Sequence, residues 1–350
     1  PWAVTAPGRP RDLLARLTGQ PGVVDALVQG DRVRLVTQTE SDPPQLAQLP
    51  GLQDARIEGV PPRFEDGFID LLRARREVAA TPAHARFDSS RPHSKADDAP
   101  VIQVKGLRRR FGSFWAVDGV SFEVRRGEIF GLLGANGAGK STTFRMLCGL
   151  LPASAGSLRV AGLDLRHAAS TARGRIGYMS QKFSLYGNLS VAQNLDFFAS
   201  AYGLANEARA TRRQWALAEF ELAPYANQLS ADLSLGYKQR LAMACALMHQ
   251  PEILFLDEPT SGVDPLARRE FWQRINALAR AGVTVLVTTH FMEEAEYCDR
   301  LAIMAAGRIL AMDEPSAIKA AARSPGHPEP SMEDAFVRLV EAADMAQDAA

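Results

Sequence analysis

Residues 134–141 read Gly-Ala-Asn-Gly-Ala-Gly-Lys-Ser, which fits the pattern G-x-x-x-x-G-K-[ST]. This segment follows the apolar run Ile129–Leu133, typical of a buried strand, and precedes Thr142–Leu150, which can form a helix. Glycines permit backbone conformations that other residues avoid, so successive N–H groups can point into one cavity and hold phosphate oxygens. Because a predicted strand precedes the segment and a predicted helix follows it, a glycine-rich turn that matches the pattern by chance is a poor explanation. The pattern predicts a strand–loop–helix unit that binds the phosphates of a nucleotide.

The residues of this loop have distinct expected roles. The N-terminus of the following helix adds about half a positive charge beside the phosphates. We expect Lys140 to reach the β- and γ-phosphates and Ser141 to be a ligand of Mg²⁺. The other loop residues expected to bind the nucleotide are Gly134, Asn136, Gly137, Ala138, Gly139 and Thr142.

Two further apolar runs end in polar residues. Ile253–Leu256 is followed by Asp257 and Glu258, and Val283–Thr289 is followed by His290. Ligands of parallel α/β sheets bind at the carboxyl edge of the strands, so we expect these groups to meet the glycine-rich loop. Because side chains alternate along a strand, Asp257 is expected to hold the metal through water, and Glu258 to face the attacking water as general base. The alternatives are an acidic strand end before a turn and a structural histidine.

The composition excludes several classes of protein. The 350 residues contain 40 Lys plus Arg and 40 Asp plus Glu. The formal net charge is therefore zero, without the excess of positive charge that is typical of proteins that bind nucleic acid. The three cysteines have no paired spacing, which argues against a disulfide framework or a zinc site and suits a reducing compartment. No apolar run approaches the roughly 18 residues of a membrane-spanning helix. We therefore expect a globular protein, and any role at a membrane must come through a partner or through sequence beyond these 350 residues.

The chain is expected to contain more than one structural unit. Residues 1–80 predict a small α/β unit, and residues 81–100, rich in Pro and Ser, predict a flexible linker. The predicted elements of the first unit are a helix at Arg11–Leu17, a hairpin of Val23–Val28 and Arg32–Thr37, a strand at Ile57–Val60 and a helix at Phe64–Arg76. Because residue 1 is Pro, we expect the chain to begin inside a longer polypeptide.

Two segments 268 residues apart resemble each other. Residues 62–72 read PRFEDGFIDLL and residues 330–340 read PSMEDAFVRLV, with apolar and acidic positions in the same order. Two amphipathic helices can share such a pattern by chance. We favour the interpretation that each segment ends one of two tandem units, of which the first is mostly missing.

From about Val101 to Ala320 the chain resembles the nucleotide-binding domain of ABC ATPases. The resemblance implies a P-loop NTPase fold of the α/β class, with a mixed sheet, an antiparallel β subdomain and a helical subdomain carrying the signature motif, and it implies ATP and Mg²⁺ as cofactors. The positions that match its motifs are the signature at Leu233–Arg240, the Q-loop Gln181, the D-loop Asp264, the switch His290 and the adenine-stacking Phe111. Gln181 is thereby implied both in catalysis and as a metal ligand. The signature and the D-loop are implied to contact nucleotide held by an opposing domain.

The signature departs from the family pattern at two positions. Leu235 stands where the family usually has Gly, and Tyr237 where it usually has Gln. Ser234 and Gly236 are retained, so we expect the anion site at the helix N-terminus to be intact. Packing at Leu235 is expected to weaken the association of the two ATPase domains around the nucleotide. Ser234 is also explained as an ordinary helix N-cap, and both interpretations are compatible.

The narrower resemblance is to the tandem ATP-binding subunit of ABC-2 type exporters of the multidrug efflux kind, in particular its second ATPase domain. It implies that residues 1–80 are the accessory C-terminal region of an upstream domain, that 101–320 is the ATPase domain, and that 321–350 is a tail with a terminal helix. It implies integral membrane partners, pairing with the upstream domain or a second copy, and a place on the cytoplasmic face of the inner membrane. Phe183 and Tyr186 belong either to the contact with the membrane subunit or to the core.

Two other functions remain open from the sequence. A ribosome-associated or other soluble ABC ATPase shares the LSLGY-type signature region, although the linker here is short and lacks the long charged helix of translation-type members. A nucleotide sensor without hydrolysis is the second alternative, and the presence of both Lys140 and Glu258 argues against it.

Overall fold

The computed structural model describes residues 1–37, 52–75 and 99–348. The strands are β1 (Trp2–Thr5), β2 (Val23–Gln29), β3 (Arg32–Thr37), β4 (Arg56–Gly59), β5 (Ile102–Phe111), β6 (Phe114–Val124), β7 (Ile129–Leu133), β8 (Ala155–Val160), β9 (Leu163–Asp164), β10 (Ile176–Met179), β11 (Ile253–Asp257), β12 (Thr284–Thr289), β13 (Arg300–Ala305) and β14 (Arg308–Asp313). The helices are α1 (Pro10–Leu17), α2 (Phe64–Arg75), α3 (Lys140–Leu147), α4 (Leu165–Arg173), α5 (Val191–Ala201), α6 (Asn206–Glu219), α7 (Leu235–Ala246), α8 (Pro265–Arg280), α9 (Met292–Ala295), α10 (Pro315–Ala321) and α11 (Met332–Asp348).

The chain divides into two compact units. The first combines Pro1–His84 with Asp264–Asn276, and the second combines Ala85–Val263 with Ala277–Ala350. Most of the linker predicted at residues 81–100 lies outside the described residues.

The first unit is built on an antiparallel sheet of order β2-β3-β1-β4. Its apolar core includes Val4, Leu17 and Val33, all fully buried, with α1 supplying Leu17. The helices, the hairpin and the strand predicted for residues 11–76 are confirmed within one or two residues at their ends. Strand β1 was not predicted, because its four residues are too short to show a period of two.

A buried ion pair joins α2 to β3. Arg34 donates from Nη2 to Asp66 Oδ2 at 2.5 Å and to the Pro61 carbonyl at 2.6 Å, and Arg63 N–H donates to Asp66 Oδ2 at 2.8 Å. Burial by itself would raise the pKa of the Asp66 carboxyl, but the bonds from Arg34 and Arg63 outweigh it and hold that pKa below its usual value. The carboxylate therefore stays charged and closes the first turn of α2.

The first unit also includes the segment Asp264–Asn276. Arg269 in this segment is buried, and its Nη1 lies 3.4 Å from Asp25 Oδ2 while its Nη2 lies 3.9 Å from Glu65 Oε2. A buried guanidinium needs carboxylate partners to offset its loss of hydration, and Asp25 and Glu65 supply them. No motif in the sequence indicated that this segment groups with the N-terminal residues.

The second unit contains a sheet of order β10-β11-β12-β7-β13-β14. Its strands pair in parallel except β13 and β14, which are antiparallel, so the sheet is mixed as predicted. A separate antiparallel sheet of order β6-β5-β8-β9 is the predicted β subdomain. Phe144 of α3 packs edge-on against Phe255 of β11, with ring centroids 5.3 Å apart, so the helix after the glycine-rich loop is fixed to the sheet.

Helices α5, α6 and α7 form the predicted helical region between the β10 strand and β11. Ser190 caps α5 in a capping box: Gln193 N–H donates to Ser190 Oγ at 3.2 Å and Ser190 N–H donates to Gln193 Oε1 at 2.8 Å. The terminal helix expected in residues 321–350 is α11.

We predict that Asp66→Ala lowers the free energy of unfolding of the first unit by about 3 kcal/mol, because it leaves the Arg34 guanidinium buried without its carboxylate partner. The measurement is amide hydrogen exchange in β3, whose opening free energy should fall by that amount. Because folding lowers the pKa of Asp66, its contribution to the free energy of unfolding is complete at pH values above its unfolded pKa of 3.8. That contribution is lost as the pH falls through the pKa of the folded state. Asp70→Ala, one turn further along α2, is the matched control; equal effects of the two changes would contradict the prediction.

Candidate nucleotide-binding site

The carboxyl ends of three neighbouring strands meet at one edge of the mixed sheet. In the parallel registers, Thr288 of β12 pairs with Asp257 of β11, and Thr289 of β12 pairs with Leu133 of β7. The glycine-rich loop leaves β7, Glu258 leaves β11 and His290 leaves β12. The sheet thus brings together the three groups that the sequence placed at strand ends.

The backbone of the loop at residues 134–141 requires glycine at two positions. Gly139 has φ +97°, and a Cβ there would lie 2.5 Å from the Ala116 carbonyl oxygen; a Cβ at Gly134 would lie 2.4 Å from the Met304 carbonyl oxygen. Gly137 also has a positive φ, of +86°, but open space around it. Helix α3 begins immediately afterwards, and the first N–H groups of a helix have no partner within the helix. The loop is therefore packed closely at its base and presents backbone donors at its mouth.

Lys140 places a buried cation at the centre of this loop. Its Nζ donates to the carbonyl oxygens of Gly134 at 2.7 Å and Ala135 at 3.1 Å, and lies 3.7 Å from Glu258 Oε1. Burial lowers the pKa of the Lys140 ammonium, while the Glu258 and Asp257 carboxylates oppose that change. The ammonium has anionic neighbours on one side and carbonyl oxygens on the other, a setting that fits a group able to move its bonds to phosphate.

Asp257 and Ser141 form the part of the site suited to Mg²⁺. Ser141 Oγ donates to Asp257 Oδ1 at 3.4 Å, and Thr288 Oγ1 donates to the same oxygen at 2.7 Å. Burial raises the pKa of the Asp257 carboxyl, and the bond from Thr288 limits that rise. Among the described residues no three His, Cys, Asp or Glu side chains gather as a metal site. Since Mg²⁺ is usually held by one or two protein oxygens together with substrate phosphates, Ser141 and Asp257 fit it.

Glu258 occupies a strained turn directly after β11. Its φ is +44°, in the left-handed region, which costs about 1–3 kcal/mol for a residue other than glycine. Thr288 holds it there, because Glu258 N–H donates to the Thr288 carbonyl at 3.1 Å and to its Oγ1 at 2.9 Å. Gln181 Nε2 donates to Glu258 Oε2 at 2.8 Å, and His290 Nδ1 lies 3.1 Å from the same oxygen. The turn brings the Glu258 carboxylate within reach of Gln181 and His290.

Phe111 lies at the turn between β5 and β6 with 47% of its surface exposed. The Arg109 guanidinium is 4.7 Å from the centre of its ring, and Arg109 Nη1 is fixed by the Pro152 carbonyl at 2.9 Å. One face of the ring is thus backed by a cation.

The signature residues lie at the start of α7. Ser234 is exposed and occupies the N-cap position of α7. Its hydroxyl makes no capping hydrogen bond, so Ser234 is an N-cap by position only. Leu235 is exposed and Gly236 half-buried. Tyr237 turns to Tyr225, with ring centroids 4.3 Å apart.

Asp264 belongs to the first unit. Its Oδ1 accepts a hydrogen bond from Ala267 N–H at 3.0 Å, and its side chain is exposed at the start of α8.

Sequence reasoning missed the hydroxyl and carboxylate residues behind the site. Thr288 bonds Asp257 and Glu258, and Glu294 accepts hydrogen bonds from Thr260 and Thr289. A run such as TVLVTT reads as an ordinary buried strand, and nothing in its pattern distinguishes a threonine that packs from one that bonds across the sheet. Only the parallel register shows which acidic groups these hydroxyls reach.

A glycine loop after a strand, with a lysine inside it and carboxylates at the neighbouring strand ends, defines the P-loop class of nucleotide-binding proteins. A family model described as ABC transporter matches residues 117–261. The chain is 48% identical over 330 residues to the probable multidrug ABC transporter ATP-binding protein YbhF of Escherichia coli (strain K12), covering 94% of this chain and 56% of that protein.

Two other relatives support the same family. The Nod factor export ATP-binding protein I of Ralstonia nicotianae is 44% identical over 218 residues, which are 62% of this chain and 68% of that protein. A solved structure of an ATP-binding subunit of an ABC transporter matches with TM-score 0.62 and 31% identity, over 69% of this chain and 99% of that one. The chain belongs to the ATP-binding proteins of ABC transporters.

In the described part of the chain, no helix combines the length and apolar character needed to cross a bilayer. The chain spans about half the length of the E. coli relative.

We predict that Lys140→Ala weakens ATP binding at least tenfold, because a charge-assisted hydrogen bond contributes about 1.5–3 kcal/mol and about 1.4 kcal/mol is a factor of ten. Equilibrium titration with ATP measures the change. Lys105→Ala, an exposed lysine of β5, is the control and should bind as the parent does. Unchanged affinity in Lys140→Ala would show that the loop does not hold the phosphates.

Proposed function

We propose that the chain is the ATP-hydrolysing motor of an ABC-2 type exporter of the multidrug efflux kind. The observation that carries the proposal is the placement of the Glu258 carboxylate, with Gln181 and His290 on one oxygen and Lys140 near the other. Support for export comes from relatives, one of them described as a probable multidrug ABC transporter protein and another as a Nod factor export protein.

The nucleotide would bind with its phosphates in the loop at residues 134–141. The loop N–H groups and the start of α3 would hold phosphate oxygens, and Lys140 would move its bonds from the Gly134 and Ala135 carbonyls to the β- and γ-phosphates. The adenine would stack on Phe111, opposite the face that Arg109 backs. The other binding residues proposed here are Asn136, Gly137, Ala138, Gly139, Ser141 and Thr142.

Ser141 and Asp257, with Gln181, are the residues that would hold Mg²⁺. When bound, that ion supplies neutralisation of the charge that develops on the phosphates. Glu258 would take a proton from the attacking water, with Gln181 fixing one of its oxygens and His290 facing the γ-phosphate. Catalysis is then mainly positioning and charge stabilisation by groups that the fold already holds in place.

An opposing ATPase domain would complete the site. We propose that Ser234 and Gly236 at the start of α7, together with Asp264, face the nucleotide held by that domain, which is either an upstream domain or a second copy. The Ser234 hydroxyl makes no bond to its own helix, which supports a role as donor to another group. ATP then joins the domains, and its hydrolysis lets them separate, so the difference in affinity between the two states does work on the partner.

Residues 1–80 are proposed to be the accessory C-terminal region of an upstream ATPase domain, with 81–100 as linker, 101–320 as the ATPase domain and 321–350 as its tail. The repeated segments support this, because α2 and α11 start in the same way: Arg63 N–H donates to Asp66 Oδ2 and Ser331 N–H donates to Asp334 Oδ2, both at 2.8 Å. The fraction of the E. coli protein that the chain covers, 56%, is also what a piece of a tandem protein would give.

Contact with the membrane subunits is proposed at the aromatic surface formed by Tyr186 and Phe197. These side chains are 44% and 42% exposed, and their rings meet edge to face with centroids 4.4 Å apart. Phe183 nearby is half-buried. An exposed aromatic pair is typical of a protein contact, which favours this role for Tyr186 over a place in the core. The chain would then lie on the cytoplasmic face of the inner membrane.

Copurification of the full-length protein from detergent-solubilised membranes tests the exporter assignment. We expect integral membrane subunits to come with it, and Tyr186→Ala to reduce their yield while Val337→Ala, an equally exposed position on α11, does not. Recovery of ribosomes in place of membrane subunits would favour the ribosome-associated alternative and contradict the proposal.

We predict that Glu258→Gln still binds ATP but hydrolyses it at least about a hundredfold more slowly, the scale on which general bases act. Phosphate release and ATP titration, done on the same preparation, measure the two properties. The matched control is Glu252→Gln, because Glu252 directly precedes the first residue of β11 and Glu258 directly follows the last. Near-normal turnover in Glu258→Gln would remove Glu258 from the role of base.

A further inference from the structure

The carboxylate of Glu294 lies behind the site and is almost completely buried, at 1% exposure. One of its oxygens, Oε1, accepts a short hydrogen bond from Thr260 Oγ1. The other, Oε2, accepts a hydrogen bond from Thr289 Oγ1 at 2.7 Å. Both threonines are themselves buried, so these bonds are shielded from water. A buried carboxylate is costly unless its oxygens are bonded, and both oxygens of Glu294 are.

The two hydroxyls belong to the turns that carry the proposed catalytic groups. Thr260 follows Glu258 by two residues, and Thr289 directly precedes His290. Thr289 Oγ1 also accepts from Phe291 N–H at 3.0 Å, which fixes the hydroxyl so that its proton faces Glu294. The single carboxylate therefore joins the turn after β11 to the turn after β12.

A second bridge holds the same two turns from another side. Thr288 Oγ1 donates to Asp257 and accepts from Glu258 N–H. The Thr288 bridge fixes the backbone at Glu258, and the Glu294 bridge fixes the chain just beyond it. A non-glycine residue in the left-handed region persists only where its surroundings impose that conformation, and these two bridges do so for Glu258.

We propose that Glu294 is a positioning residue for ATP hydrolysis, which sets the approach of Glu258 Oε2 and His290 Nδ1, 3.1 Å apart. It acts through Thr260 and Thr289 and does not touch the nucleotide. The inference rests on the proposed roles of Glu258 and His290. None of the hydrogen bonds described for Glu294 reaches the loop at residues 134–141, so we expect a change at Glu294 to leave the affinity for ATP unchanged.

The experiment compares Glu294→Ala, Glu294→Gln and the control Glu293→Gln, an exposed position in the same turn of α9. Steady-state hydrolysis and ATP titration are measured for each in the full chain. We expect Glu294→Ala to lose at least about tenfold in kcat, since misplacement of a reacting group by an ångström can cost about a hundredfold. Its Kd for ATP should be unchanged. Glu294→Gln should recover most of kcat, because its amide can accept from one hydroxyl and donate to the other, and Glu293→Gln should equal the parent.

Two further variants keep the proposal testable if Glu294→Ala does not fold. Thr260→Val and Thr289→Val each remove one hydroxyl at nearly constant volume, and each should lower kcat without changing Kd for ATP. Normal kcat in both, or a joint loss of kcat, ATP affinity and thermal stability, would overturn the proposal and leave Glu294 as a structural residue. Failure of Glu258→Gln to lose turnover would instead overturn the proposed function, so the two failures are distinguishable.

Discussion

Parallel pairing of β12 with β7 on one side and β11 on the other determines where the candidate nucleotide-binding site lies. The registers bring Leu133, Asp257 and Thr289 to one edge, and each strand delivers a different kind of group there: backbone donors, carboxylates and an imidazole. No single one of these segments forms a site by itself. The sheet edge is the element on which the other features depend, because a shift of one residue in any pairing would turn the side chains to the opposite face.

Burial disfavours the charged forms of two groups at this edge of the sheet, the Lys140 ammonium and the Asp257 carboxylate. Burial lowers the pKa of Lys140 and raises the pKa of Asp257, which means that the ammonium and the carboxylate are both held in surroundings less favourable than water. A ligand that brings negative phosphates to Lys140 and a cation to Asp257 relieves both. These electrostatics support the binding of ATP with Mg²⁺ that is proposed above.

The sequence predicted the parts of the structure that are local. Gly134–Ser141 and the strand ends at Glu258 and His290 each follow from a few adjacent residues, whereas the mixed sheet was expected only from the resemblance to a known family. The parts that it did not predict depend on register or on distant segments. Strand β1 is short and shows no period. Thr288 and Glu294 form hydrogen bonds across strands, and Arg269 pairs with Asp25, which lies more than 200 positions earlier in the chain. The proposed roles of Ser234, Gly236 and Phe111 rest on resemblance, because each role involves a nucleotide or an opposing domain.

The proposed function depends on the loop at residues 134–141 wrapping the triphosphate of ATP. The most direct measurement is a crystal structure of the Glu258→Gln chain with Mg²⁺ and ATP. We expect phosphate density inside the loop, with Lys140 Nζ turned from the Gly134 and Ala135 carbonyls to phosphate oxygens and Asp257 on the side of the metal. Nucleotide bound elsewhere, with Lys140 still bonded to those carbonyls, would contradict it.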